Sequence, residues 1–212
     1  MIDYVFFDVS GTLLTKPALF PNIQSALADS GHKIGLDEIK FKHKLLSEFI
    51  KFPDRTDLDF YKIFNSELLY ALGILPTEKL LADIFANCTY LSWEKYEDTD
   101  VLAELDIPIG IISNFNTTLK DKLNSFFGPI FTDILVSEEL GVAKPEVEFY
   151  KMACQKSKVN PQNILYIGDS IKLDLEPAHK VGMKSLLIDR DRFYKGSGRC
   201  IKSLHEIKDY LG

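Results

Sequence analysis

Short, continuous apolar runs rich in β-branched and aromatic residues recur along the chain, and they predict buried β-strands. The first run, 2–7, leads directly into Asp8 and Gly11, which is the flanking expected of a strand buried on both faces. Similar runs follow much later, at 107–112, 163–167 and 184–188, with a weaker one at 131–136. The pattern therefore predicts a first strand that is separated along the chain from all the others.

The segments between the later strands have the apolar spacing and the end signals typical of helices. Helices are predicted over 117–127, 146–157 and 171–181. Two of them end directly before a glycine, and 146–157 ends shortly before Asn160 and Pro161. Gly and Pro are residues that stop a helix. A last helix is predicted to begin at Ser203, where Glu206, three residues on, completes a capping box. This alternation predicts an α/β fold, a mainly parallel sheet with helices on both faces.

The stretch from 15 to 96 breaks the alternation, because it has no convincing strand and contains four helix-like segments. Its apolar residues follow helical spacing, for example at Leu45, Leu46 and Phe49. We therefore predict two domains. One is a Rossmann-like core made of 1–15 and 97–212, and the other is an inserted helical domain of 16–96.

Composition narrows the classes of protein to which this chain can belong. Of its 212 residues, 46% are hydrophobic, which excludes wholesale disorder, and no apolar run approaches the roughly 18 residues of a membrane span. A formal net charge of -6 argues against a general nucleic-acid binder. Three scattered cysteines and the absence of a basic leader indicate a soluble, cytoplasmic protein with free thiols and no membrane partner.

Polar groups follow the carboxyl ends of the predicted strands, the edge at which open parallel sheets bind their ligands. They are Asp8, Ser10, Gly11 and Thr12 after the first strand, Ser113 and Asn114 after the second, Lys144 ahead of 146–157, and Asp169 and Asp174 after 163–167. Each of them alone is an ordinary turn or helix-cap residue. Their combination at one edge, with no such gathering at the other ends of the strands, indicates a functional site.

This set of groups suits attack by a carboxylate on a phosphorus or carbon centre. A carboxylate approaching a phosphate is repelled by about 1 kcal/mol per charge pair at 4 Å in water, and by about 4 kcal/mol at an effective dielectric of 20. A divalent cation shared by the carboxylate and the phosphate, together with a nearby ammonium group, turns this repulsion into a net attraction. We therefore expect Asp8 and Asp169 to hold Mg²⁺ beside Lys144. The groups expected to cradle the transferred group are the backbone N–H groups around Gly11 and Thr12 and the side chains of Ser113 and Asn114.

The four segments resemble the four motifs of the haloacid dehalogenase-like (HAD) hydrolase superfamily, and the helical insert follows the first motif as it does in members with a four-helix-bundle cap. The resemblance implies a HAD-like Rossmannoid core and a Mg²⁺-dependent phosphatase that forms an aspartyl-phosphate on a small phosphorylated metabolite. By this resemblance, Asp8 is the nucleophile and a metal ligand, and the backbone carbonyl of Ser10 is a second metal ligand. Ser113 would bind the phosphate, and Lys144 would hold the nucleophile and the phosphate in place. Asp169 and Asp174 would complete the acidic site.

One position departs from the family pattern. Phosphatases of the family usually carry a second Asp two residues after the nucleophile as general acid and base, and here that position is Ser10. A positioned general acid contributes about 10²–10⁴-fold to the rate. The substrate could therefore carry a good leaving group such as an acyl phosphate, or another residue could supply the proton. The protein could also be slow or perform other chemistry.

Two other functions stay open at this point. Family dehalogenases lack the second Asp and carry a tyrosine six residues after the lysine, the position of Tyr150 here, although an aromatic residue packed in the core is the simpler interpretation. Those enzymes work without a metal and lose the acidic fourth motif, whereas Asp169 and Asp174 are both present, which favours the metal-dependent phosphatase. The remaining alternative is a weakly active or regulatory binding protein. Either a monomer or a homodimer is compatible with the sequence.

Alternating charges at 189–192, directly after the last predicted strand, resemble a solvated loop. Because the loop follows a strand end, it could also border the cleft.

Overall fold

The computed structural model describes residues 1–196 and 198–212. The chain forms two compact units. One consists of Met1–Thr15 with Lys95–Gly212, and the other is Lys16–Glu94. The domain boundary expected after 96 differs from this division by two residues.

A six-stranded sheet forms the centre of the first unit. The strands in chain order are β1 (Tyr4–Phe7), β2 (Leu14–Thr15), β3 (Glu94–Lys95), β4 (Ile109–Ser113), β5 (Asp133–Val136), β6 (Ile164–Gly168), β7 (Lys184–Ile188) and β8 (Cys200–Ile201). The sheet has the order β5-β4-β1-β6-β7-β8, and all of its pairings are parallel. Strands β2 and β3 form a separate two-stranded sheet. The predicted α/β fold with a parallel sheet is therefore confirmed.

Helices and short helical turns make up most of the remaining structure. The α-helices are α1 (Leu19–Asp29), α2 (Leu36–Phe49), α3 (Leu58–Ala71), α4 (Glu78–Cys88), α5 (Leu119–Phe127), α6 (Ser137–Leu140), α7 (Val147–Ser157) and α8 (Glu176–Lys180). The 3₁₀ segments are Glu97–Glu104, Pro161–Asn163 and Leu204–Tyr210, and Ile171–Leu175 is a π-helical turn.

Strand β1 is buried on both faces, as its continuous apolar run predicts. Tyr4 and Phe6 belong to a core cluster that includes Phe149 of α7, and Val5 and Phe7, which alternate with them along the strand, are fully buried as well. Burial on both faces places β1 at the centre of the sheet between β4 and β6. The residue that follows β1 is therefore held by well-packed structure on both sides.

Several sequence predictions differ from the structure in detail. The five predicted strands are present with ends shifted by up to two residues, except 184–188, which is correct. The predicted helix 171–181 divides into the π-helical turn and α8, because the N–H groups of Asp174 and Leu175 both donate to the Ser170 carbonyl and widen the first turn. The last helix is 3₁₀, although the capping box of Ser203 and Glu206 is confirmed.

Several short strands and helical segments were not predicted from the sequence. Strands β2, β3 and β8, helix α6 and the 3₁₀ segment Glu97–Glu104 were not predicted, and the expectation of no strand between 15 and 96 is wrong at Glu94–Lys95. Two-residue strands and the single turn of α6 contain too few residues to show a hydrophobic period, and the eight-residue 3₁₀ segment does not follow the 3.6-residue period by which helices are recognised.

The helical unit, Lys16–Glu94, contains α1 to α4 and has its own apolar core. Two of its helices begin with side-chain caps: Asp57 accepts a hydrogen bond from the Phe60 N–H at 2.8 Å, and Thr77 accepts one from the Leu80 N–H at 3.2 Å. Across the described residues, no helix combines the length and the apolar character that crossing a membrane requires.

Candidate active site

Adjacent parallel strands bring the predicted site residues to one edge of the sheet. Phe7 of β1 is in register with Ile111 of β4 on one side and with Ile167 of β6 on the other. Asp8 follows Phe7 directly, and Ser113 and Asp169 lie two residues beyond these partners along β4 and β6. Sequence positions more than 100 residues apart therefore meet at the carboxyl ends of the strands.

Lys144 joins two carboxylates through a single ammonium group. Its Nζ lies 2.6 Å from Oδ1 of Asp8 and 2.7 Å from Oδ1 of Asp174, and all three side chains are at most 8% exposed. Charge-assisted hydrogen bonds of this length in a buried setting are strong. The three residues form a tightly connected group of charges.

The carboxylate of Asp174 is held on several sides. Besides Lys144, it accepts a hydrogen bond from the Tyr166 hydroxyl at 2.9 Å and one from the Ser170 N–H at 3.0 Å. Gly168 makes room for it, because a Cβ at that position would lie 2.4 Å from Cγ of Asp174. Asp174 is therefore fixed in place and, with its oxygens engaged by these donors, is suited to orienting Lys144.

Carboxylate oxygens of Asp8, Asp169 and Asp174 lie within 4.8 Å of one another. Gly11, in a left-handed conformation with φ of 84°, sits against Asp169, since a Cβ there would be 2.3 Å from its Oδ2. Oxygen ligands from one or two carboxylates are what Mg²⁺ prefers in proteins. The donor set therefore fits a magnesium ion.

Burial controls the ionisation of the cluster. The pKa of Asp8 is raised to about 7, mainly by burial and also by the charges of Asp174 and Asp169, while the charge of Lys144 acts in the opposite direction. Burial alone would lower the pKa of Lys144, but the carboxylates of Asp174 and Asp8 outweigh this effect and hold it well above its usual value. The site carries more negative than positive charge when its carboxylates are ionised, which favours binding of a cation.

The other predicted residues occupy different positions around this cluster. Ser113 is 2% exposed at the end of β4, and Thr12 is fully buried, with its hydroxyl 3.5 Å from Oδ2 of Asp8. Ser10 is exposed. Asn114 uses both ends of its amide on the backbone of Lys144: Oδ1 accepts from the Lys144 N–H at 2.7 Å, and Nδ2 donates to the Lys144 carbonyl at 3.0 Å. Asn114 therefore holds the lysine segment in place, and the phosphate contact expected of it stays a prediction.

Tyr150, the residue behind the dehalogenase alternative, is packed in the core. Its side chain is fully buried, its ring lies edge-on to that of Tyr166 with centroids 5.3 Å apart, and its hydroxyl donates to the Leu173 carbonyl at 2.5 Å. The hydroxyl is thus committed to the backbone of the turn that carries Asp174.

Two residues of this region were missed by the sequence analysis. Tyr166 lies within an apolar strand and gave no polar signal, although its hydroxyl contacts Asp174. Arg190 belongs to the loop at 189–192, for which the sequence left open a solvated loop or a loop bordering the cleft, and its guanidinium donates to the backbone carbonyls of Gly11 and Thr12. A sequence motif shows only the residues that follow one strand end directly. Arg190 reaches the loop after β1 from the end of β7, so no motif marks it.

The fold and the site together define a class of protein, an α/β protein with an acidic centre at the carboxyl edge of a parallel sheet. The sequence model of the haloacid dehalogenase-like hydrolases matches residues 2–182. The chain belongs to this family, which confirms the resemblance of its four motifs, and it is a hydrolase of the phosphatase type.

Curated relatives align along almost the whole chain. The glyceraldehyde 3-phosphate phosphatase of Methanocaldococcus jannaschii is 31% identical over 229 aligned residues, covering 100% of this chain and 97% of the relative. A protein of the same name from Methanopyrus kandleri is 25% identical and covers 91% of this chain and 86% of the relative.

Solved structures share the complete architecture. The HAD-hydrolase YfnB from Bacillus subtilis, bound to magnesium, matches with a TM-score of 0.68 and 20% identity over 99% of this chain and 98% of that one. A 2-haloacid dehalogenase from Pseudomonas syringae matches with a TM-score of 0.60 and 20% identity over 100% and 98%. Because fold neighbours of this kind include both phosphatases and dehalogenases, likeness at this level identifies the fold, and the reaction has to be argued from the site.

Proposed function

We propose that this hydrolase is a Mg²⁺-dependent phosphatase that removes the phosphate of a small phosphorylated metabolite through an aspartyl-phosphate on Asp8. The observation that carries the proposal is the buried cluster in which Lys144 bridges Asp8 and Asp174 while Asp169 lies beside them. The names of the curated relatives support a small phosphorylated substrate.

In the proposed first step, an oxygen of the Asp8 carboxylate attacks the phosphorus atom while the ester bond to the leaving group breaks. Oδ1 of Asp8 is engaged by Lys144, so Oδ2 is the oxygen assigned to the attack. In the second step a water molecule attacks the aspartyl-phosphate, which returns the carboxylate and releases inorganic phosphate. Lys144 stays protonated throughout and reduces the repulsion between nucleophile and phosphate.

Asp8, Asp169 and the backbone carbonyl of Ser10 are the groups proposed to hold Mg²⁺, which would offset the negative charge of the phosphoryl group. Ser113 is proposed to contact that phosphoryl group. Backbone N–H groups around Gly11 are proposed to do so as well, other than those of Gly11 and Thr12 themselves, which donate to the Leu14 and Val9 carbonyls. Asn114 acts indirectly through its two hydrogen bonds to the backbone of Lys144.

Ser10 narrows the substrates that this site turns over efficiently. A hydroxyl does not ionise near neutral pH, so Ser10 does not replace the carboxylic acid that protonates an alkoxide leaving group. We therefore propose a preference for leaving groups that need little protonation, such as the carboxylate of an acyl phosphate.

The helical unit is proposed to be the cap that excludes water and selects the substrate. The support is its insertion directly after the first motif and its independent apolar core.

A phosphate-ester panel tests the proposed function. Wild-type protein is expected to release phosphate from small phosphorylated metabolites with Mg²⁺ and to stop in EDTA. Asp8→Asn should lower turnover by ~10³-fold or more, because removing a covalent nucleophile removes the pathway. Asp121→Asn, an exposed carboxylate on α5, is the matched control and should behave like wild type.

Two results would contradict the proposal: full activity in EDTA, or full activity of Asp8→Asn. Chloride release from 2-chloropropionate without metal would instead establish the dehalogenase alternative. A panel without turnover, combined with measurable Mg²⁺ binding, would favour a regulatory binding protein.

A further inference from the structure

Arg190 connects the last long strand to the loop that carries the first motif. It follows β7 by two residues, and its side chain is 19% exposed. Nη1 donates to the Gly11 carbonyl at 3.0 Å, and Nη2 donates to the Thr12 carbonyl at 2.9 Å. Two successive peptide groups of the loop are therefore held by one rigid guanidinium plane.

The positive charge of Arg190 is compensated within the protein by the carboxylate of Asp98 and the ring of Tyr96. Asp98 binds the guanidinium through two hydrogen bonds, from Nε at 3.1 Å and from Nη2 at 2.7 Å. The ring of Tyr96 lies against its face, with Cζ 3.8 Å from the centroid. Asp98 also accepts the Leu204 N–H at 3.0 Å. A guanidinium paired in this way orients the backbone and does not serve as a charge that captures phosphate.

The two residues whose carbonyls Arg190 holds, Gly11 and Thr12, lie next to the two carboxylates proposed to hold the metal. Gly11 is packed so closely on Asp169 that there is no space for a Cβ between them, and the Thr12 hydroxyl faces Oδ2 of Asp8. Inside the loop, the N–H groups of Thr12 and Leu13 both donate to the Val9 carbonyl, at 3.3 and 2.9 Å. The carbonyls of Gly11 and Thr12 both accept hydrogen bonds from the side chain of Arg190.

We propose that Arg190 is a positioning residue of the active site, which sets the spacing of Asp8 and Asp169 through the peptide groups of Gly11 and Thr12. The proposal rests on the proposed function for its kinetic consequences, whereas the restraint on the loop can be measured independently. Without Arg190, the two carbonyls must be solvated, and the loop is free to move away from the two carboxylates.

The kinetic experiment compares Arg190→Met, Arg190→Lys and Arg192→Met in the full-length protein. Arg192 is an exposed arginine of the same loop, so it is the matched control for the loss of one positive charge. Arg190→Met is expected to lower kcat about 10- to 100-fold, because a displacement of about 1 Å in reacting groups has such an effect. KM should stay within about threefold, since ground-state binding of the substrate is not removed. Arg190→Lys should recover part of kcat, and Arg192→Met should match wild type.

Hydrogen exchange and metal binding provide readouts that do not need activity. Amide exchange in residues 10–14 should accelerate in Arg190→Met and stay unchanged in Arg192→Met. The Mg²⁺ dissociation constant, measured by calorimetry on each protein, should rise in the same variant. If Arg190→Met does not fold, Arg190→Lys is measured in its place, with smaller changes of the same sign expected.

The outcomes separate this proposal from the proposed function. Absence of phosphatase activity in the wild type would overturn the proposed function, and exchange and Mg²⁺ affinity would then decide the role of Arg190. Unchanged loop exchange together with unchanged Mg²⁺ affinity in Arg190→Met would overturn the positioning role. A rise in KM with kcat unchanged would also overturn it, because that result indicates direct substrate binding.

Discussion

At the scale of single residues, the site is a group of buried and half-buried charges in which carboxylates outnumber ammonium groups. Lys144 is paired with both Asp8 and Asp174, and Asp169 adds a further carboxylate to the same group. Leaving a buried charge without compensation costs several kcal/mol, so an excess of carboxylates is tolerated best when a cation binds among them. The residue types and their placement thus favour a metal-dependent reaction of Asp8.

Ser10→Asp tests the substrate preference. An added carboxylic acid at this position should raise turnover of ordinary alkyl phosphates by about 10²-fold or more relative to acyl phosphates, because only the alkoxide leaving group needs the proton. The measurement is the ratio of kcat/KM for an alkyl phosphate to that for an acyl phosphate in both proteins. Ser47→Asp, a substitution in the helical unit away from the first motif, controls for the added charge. An unchanged ratio would show that another group supplies the proton.

At the same scale, the sequence anticipated much of the site and missed part of it. Asp8, Asp169, Asp174 and Lys144 were recognisable because each follows a strand end or precedes a helix within a motif. The orientation of Asn114 towards the Lys144 backbone was not recognisable, since an amide next to a serine carries no information about its partner. Tyr166 was not recognisable either, because it lies within an apolar strand whose sequence does not show that its hydroxyl contacts Asp174.

At the scale of elements, the irregular segments set the geometry of the site. The π-helical turn Ile171–Leu175 directs Asp174 towards Lys144, and the Ser170 hydroxyl caps it by accepting the Leu173 N–H at 2.8 Å. A regular α-helix beginning at Ile171, as the sequence predicted, would have spaced these residues differently. Wide turns of this kind are found often at functional sites, where they redirect one side chain.

In the helical unit, His43 of α2 makes the stability of the fold sensitive to pH. Its ring contacts Phe20 and Phe64 edge-on, with centroids 5.2 and 4.8 Å apart, and burial lowers the pKa of His43 to about 4. As the pH falls below about 6.5, the unfolded chain binds this proton before the folded chain does, so stability decreases with falling pH until about pH 4.

We expect His43→Phe to remove this pH dependence. Between pH 7 and pH 5 the wild type should lose about 1–2 kcal/mol more than the variant, a range that allows for the partial exposure of the ring. Urea unfolding at both pH values measures the difference. The exposed His179→Gln is the control and should retain the wild-type dependence. Equal pH dependence in wild type and His43→Phe would contradict the assignment.

At the scale of the whole molecule, the parallel sheet is what unites the site. The salt bridge between Lys144 and Asp8 joins positions that are 136 residues apart, and the bond from Arg190 to Gly11 spans 179. Neither contact exists unless β1 pairs with both β4 and β6. Binding of the proposed metal ion would therefore be linked to folding, because the unfolded chain does not assemble the ligands.

This linkage predicts that Mg²⁺ stabilises the protein against unfolding. At a free concentration about 100 times the dissociation constant, one bound ion adds about 2.7 kcal/mol. Thermal unfolding at several Mg²⁺ concentrations should therefore show a rising Tm for the wild type and a much smaller rise for Asp169→Asn. Asp121→Asn should respond as the wild type does. A Tm that is insensitive to Mg²⁺ in the wild type would contradict the proposed metal site.

Hydrophobic period and local turn chemistry are properties of neighbouring residues, so the alternation of strands and helices, the position of the helical insert and the residues at the strand ends could all be predicted from the amino-acid order. Which of those residues meet depends on how the whole chain folds. The fold directed Asn114 to a backbone, packed Tyr150 into the core and brought Arg190 to the first loop, since contacts between distant segments depend on strand order and register, which no local pattern encodes.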